Sequence, residues 1–77
     1  MRQKTKDYIL KMFDLRIKET EAMIAERQKW LDYHRKYPES NYDQTLEEYK
    51  VWATGIIERK KAYIAEIEEM AKEIREE

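Results

Sequence analysis

The sequence predicts an all-α fold: an antiparallel two-helix hairpin that is expected to dimerise into a four-helix bundle. Three observations carry this prediction. Strong helix formers dominate both halves of the 77 residues, and a single Pro and a single Gly leave little chain for turns. The one clear break, around Pro38, falls at the middle of the chain. On either side of that break, apolar residues recur at the three- and four-residue spacing of a helix face.

The first helix is expected over about residues 5–36. Thr5 is a suitable N-cap, with Asp7 in the first turn. Pro38 lacks a backbone donor and drives Tyr37 out of helical geometry, which ends the helix near Lys36. The turn occupies about 37–42. Both Ser40-x-x-Asp43 and Thr45-x-x-Glu48 fit the capping-box pattern, so the second helix starts within 41–45, near 43, and runs to about 75. The whole chain, 1–77, reads as one helical-hairpin domain.

Leu10, Phe13, Ile17, Ile24 and Leu31 share one stripe of the first helix, and positions 10, 17, 24 and 31 form a heptad row. Leu46, Ala53, Ile57, Ile64, Ile67, Ala71 and Ile74 form the stripe of the second. Charge favours folding back. Residues 1–36 carry ten Lys/Arg against six Asp/Glu, and residues 37–77 carry six against eleven. The basic start of the first helix and the acidic end of the second both oppose the helix dipole. An antiparallel hairpin sets them side by side. Gly55 is expected to mark a close helix approach or a kink, because it comes level with Ile24.

The apolar surface is wider than one seam. Tyr8, Met12, Met23, Trp30 and Tyr37 form a second ridge roughly 100–160° round from Ile24. Trp52, Tyr63 and Met70 broaden the second helix. A homodimer with Met12, Met23 and Trp30 at its interface is the expected use of that ridge.

No nucleophile–base constellation, Gly-rich phosphate loop or Glu-x-x-His pair is present, and the chain has no Cys and one His. No enzyme, cofactor or metal site is expected. No apolar run is long enough to span a membrane, and the basic Met1–Lys6 segment has no apolar run after it. A cytoplasmic protein is expected.

Six of the nine aromatics fall between residues 30 and 52. With Arg35, the residues Trp30, Tyr33, Tyr37, Tyr42 and Trp52 make up the expected surface for an unknown protein partner, since aromatics and Arg dominate binding hot spots. The leading functional expectation is a small non-enzymatic interaction module, an adaptor or an inhibitor of a larger protein. The alternative is a bundle that captures an anionic small molecule, such as a nucleotide, through Arg16, Arg27, His34 and Lys60. A nucleic-acid-associated regulator, using Lys4, Lys6, Lys11 and Lys18, ranks third, because the second helix cancels the basic excess of the first. The stretch from Arg16 to Arg35 resembles, in its generic heptad residues alone, the coiled-coil tails that dimerise some bacterial transcription regulators.

Overall fold

The computed structural model describes residues 2–36 and 44–77, the side chains of residues 44–46 excepted. Helix α1 spans Gln3–Lys36 and helix α2 spans Gln44–Glu76. They pack side by side in an antiparallel hairpin measuring 56 × 15 × 14 Å. No described helix is long and apolar enough to cross a membrane. α1 begins two residues before Thr5, because the Lys6 amide already donates to the Arg2 carbonyl at 3.0 Å. Gln3 then reaches Asp7 at 2.8 Å across the first turn.

The seam between the helices follows one rule. On α1 the residues turned toward α2 are Lys6, Leu10, Phe13, Ile17, Thr20, Ile24, Arg27, Leu31 and His34, all buried or half-buried. On α2 they are Lys50, Ala53, Ile57, Lys60, Ile64, Ile67, Ala71 and Ile74. Each set steps by alternating threes and fours, which is coiled-coil spacing. The buried apolar residues are Leu31, Ala53, Ile57, Ile67 and Ala71, and Leu31, Ala53 and Ile57 form a cluster with Ile24, Trp30 and Tyr49 packed on it. Ala53 and Ala71 are small, so they let α1 approach closely at both ends of the seam.

The seam also takes in polar residues that interrupt the apolar stripes. Thr20 is buried because its hydroxyl donates to the Arg16 carbonyl one turn back, at 2.8 Å. That local bond satisfies the group without a partner on α2.

One detail differs from the sequence expectation. Gly55 makes no close approach: a methyl placed on it would meet nothing within 4 Å. It lies two residues from Ile57, so it faces away from the seam even though it is level with Ile24. The oppositely charged helix ends do lie together, but no ion pair joins them among the described residues. Every described ion pair runs within one helix at i,i+3 or i,i+4, as in Lys18–Asp14 at 3.1 Å and Lys50–Glu47 at 3.6 Å. The charge asymmetry therefore acts at a distance, where exposed charges are screened.

These placements set the response to substitution. Ile24→Asp puts a carboxylate against Leu31 and Ile57 and is expected to cost several kcal/mol. Val51 is 68% exposed, so Val51→Asp is expected to stay within about 0.5 kcal/mol. Gly55→Ala is expected to stabilise by about 1 kcal/mol, from helix propensity with no clash. Thermal melts followed by circular dichroism rank the three; equal damage from Ile24→Asp and Val51→Asp contradicts the assigned seam.

Candidate interaction surface

The hairpin has two unlike flanks. One carries short polar side chains and most of the local ion pairs: Asp14–Lys18, Asp32–Arg35, Glu47–Lys50 and Glu58–Lys61. The other carries the large apolar side chains. Met12, Met23 and Trp30 project along α1, and Trp52, Ile56, Tyr63 and Met70 along α2. The helical repeat explains this, since both rows sit roughly 100–140° from their seam centres, on the same side once the chain turns back. Met23 and Trp52 are each 51% exposed, with no described element over them.

Near the turn this flank is an aromatic cluster. The Trp30 ring lies 4.5 Å from Tyr49, edge to face, and 4.1 Å from His34. Tyr49 lies 5.3 Å from Trp52. Arg27 threads between them. Its Nη1 donates to the Tyr49 hydroxyl at 2.6 Å, and its guanidinium carbon stands 5.4 Å from the Trp52 ring centre, in cation–π range. Lys60 reaches across from α2, its Nζ 3.6 Å from the Met23 sulfur. Both cations are half-buried, and neither has a carboxylate partner among the described residues.

Two grooves follow from this packing. One, of about 380 Å³, is lined by Met23, Glu26, Arg27, Trp30 and Lys60. The next, of about 530 Å³, continues toward the open end between Arg16, Glu19, Thr20 and Met23 on one wall and Ile56, Arg59, Lys60 and Tyr63 on the other.

The expected site residues divide accordingly. Trp30 and Trp52 meet through Tyr49, and Met12, Met23 and Trp30 share the flank. Arg16, Arg27, His34 and Lys60, proposed for anion capture, all lie on or beside it. Arg35 does not: it pairs with Asp32 at 3.7 Å and lines a groove on the polar flank with Leu31 and Lys50. Tyr33 is exposed on the back of α1, edge-on to His34. Tyr37 and Tyr42 lie outside the described residues. Tyr49, one of the six aromatics between residues 30 and 52, was not assigned to the expected site, and Ile56 and Arg59 were not singled out. Tyr49 was legible from position alone, since a turn near Pro38 sets it level with Trp30.

Among the described residues no group of three or more His, Asp or Glu is placed to hold a metal ion. The chain matches no protein family, no curated protein and no solved structure.

The Arg27–Tyr49 bond is the one hydrogen bond between nitrogen and oxygen that crosses the seam among the described residues. A double-mutant cycle of Arg27→Ala and Tyr49→Phe is expected to give a coupling of about 1 kcal/mol, for a charge-assisted bond that water partly reaches. Urea denaturation of the four proteins measures it, and purely additive losses would remove the bond from the account.

Proposed function

We propose that this chain is a small, cytoplasmic, non-enzymatic interaction protein, an adaptor or an inhibitor, that works by docking helical surface onto another protein. The one-sidedness of the hairpin carries this reading. Met12, Met23, Trp30, Trp52, Ile56, Tyr63 and Met70 lie along one flank, with Arg16, Glu19, Glu26 and Arg59 at its grooves, and four of the five described ion pairs lie on the other. Scattered surface apolar residues need no explanation, but a contiguous strip of Met, Trp and Tyr does. Large rings bury much area at little rotamer cost, and the Met side chains adapt to an irregular partner. The homodimer expected from Met12, Met23 and Trp30 uses the same flank. Tyr33, on the outer side of α1, stays exposed to a larger protein outside that flank.

A second reading has its own support. Arg27 and Lys60 are cations held by a hydroxyl, a ring face and a sulfur, at the mouth of grooves wide enough for a small anion. Such a pair suits capture of a phosphate- or carboxylate-bearing small molecule.

One set of variants separates the readings. For an interaction module, Trp30→Ala and Tyr33→Ala are expected to weaken capture of the host protein retained by the tagged chain by about 5- to 30-fold each. Tyr33→Ala, at an exposed ring, leaves helicity and melting temperature unchanged, while Trp30→Ala, at a half-buried ring packed on the Leu31 cluster, also lowers the melting temperature. Val51→Asp, on the polar flank, is expected to leave capture unchanged. If Val51→Asp is as damaging as Trp30→Ala, the flank is not the working surface. If instead inorganic phosphate raises the melting temperature of the wild type, and not of Arg27→Glu or Lys60→Glu, the anion-capture reading replaces it.

A further inference from the structure

We infer that the apolar flank is covered by a second copy of this chain, related by a two-fold axis parallel to the helices, so that α1 of each copy lies antiparallel against α2 of the other. The inference rests on the reading of that flank as the docking face. Three observations select this occupant and this symmetry.

The first is an incomplete core. Only five apolar side chains of the described residues are buried, two of them Ala, and no large side chain is fully buried. A chain this small needs further burial or a staple, and it has no Cys. The second is size. The flank runs along a molecule 56 Å long, so a partner of the same length can cover it from end to end.

The third is charge complementarity in a register that the hairpin itself sets. A two-fold axis parallel to the helices keeps every residue at its own height. A residue on α1 therefore meets the part of the partner's α2 that is level with it in its own chain. Level pairs are 27 with 49, 30 with 49 and 23 with 60, numbers adding to 76, 79 and 83. By that rule Glu19 falls level with the partner's residues 57–64, and Arg59 is the exposed cation of that stretch on this flank. Both residues are exposed at the rim of the same groove. Arg59 has no carboxylate partner within the chain among the described residues, and Glu19 has only Arg16, at 4.0 Å. The same rule sets Met23 against the partner's Ile56 and Trp30 beside the partner's Trp52. Met23 and Trp30 meet apolar residues and Glu19 meets Arg59, each contact being made twice by the symmetry, while Arg27 and Lys60 of both copies keep their hydroxyl, ring and sulfur contacts within the bundle. Every helix in the resulting four-helix bundle has antiparallel neighbours, as short-loop bundles require.

The test is a charge swap read by sedimentation equilibrium. The wild type is expected at about twice the 9.6 kDa chain mass at micromolar concentration. Glu19→Arg alone and Arg59→Glu alone each set like charges opposite one another at two places, and are expected to weaken the dimer about tenfold or more. The double variant reverses the pair and is expected to return to within about threefold of wild type. These positions are exposed, so circular dichroism should show unchanged helicity in all three variants. A wild type that stays monomeric, or single variants that the double variant does not rescue, overturns the inference. Met23→Asp separates that failure from failure of the underlying reading. If it breaks the dimer while the swap gives no rescue, the flank docks in another geometry and only the register is wrong. If a dimer forms and Met23→Asp leaves it intact, the flank is not the docking face, and both fall.

Discussion

The alternation of threes and fours along the two facing helices is the constraint on which the rest of this structure depends. It places Leu10, Ile17, Ile24 and Leu31 in one row of α1, and Ile57, Ile64 and Ala71 opposite them on α2. With that face committed to the intrachain seam, the helical repeat leaves no choice about what the flanks carry. Residues a further 60–100° round on one side are Met, Trp and Tyr, and those on the other side are Asp, Glu and Lys. The two-sided surface is thus a consequence of the seam's phase rather than a separate feature.

The seam is also unusual in its polar members. Lys6, Arg27, His34, Lys50 and Lys60 all occupy positions turned toward the opposite helix, and no acid does so among the described residues. Cations with long aliphatic stems suit this position, because the stem packs while the charge reaches the edge. Arg27 and Lys60 both exit on the apolar flank, where they meet Tyr49, Trp52 and Met23. Polar seam residues cost stability and restrict register. Here they also leave positive charge in the middle of an otherwise apolar face, so whatever covers that face must accommodate it.

Much of the fold was legible in the sequence because the signals agree. Pro38 punctuates one long helical pattern, and the Leu/Ile heptad row marks the inner face of α1 without ambiguity. The misreadings come from treating hydropathy as the whole pattern. Thr20, Arg27 and His34 are absent from the apolar stripe that hydropathy defines, yet they are members of the seam. A hydroxyl bonded to its own helix and two stems able to snorkel fit a seam as well as an aliphatic residue does. The close approach expected at Gly55 rested on height alone. Being level with Ile24 says nothing about direction, and the two-residue offset from Ile57 turns it outward. For the site, composition found the aromatics but could not sort them by flank. Arg35 and Trp30 are near neighbours in sequence and lie on opposite sides of the molecule, and Tyr49, absent from the expected site, is the residue that joins Arg27, Trp30 and Trp52.

The strictly local character of the ion pairs bears on how the chain acquires its shape. Each helix carries its own supports: Gln3 to Asp7, Lys18 to Asp14 and Gln28 to Asp32 in α1, and Lys50 to Glu47 and Lys61 to Glu58 in α2. None waits for the other helix, so each half can build helix before the halves meet. Closing one short connection then brings the two faces together, a search with low contact order and a small loop penalty. Folding of the hairpin is therefore expected to be a fast, local event.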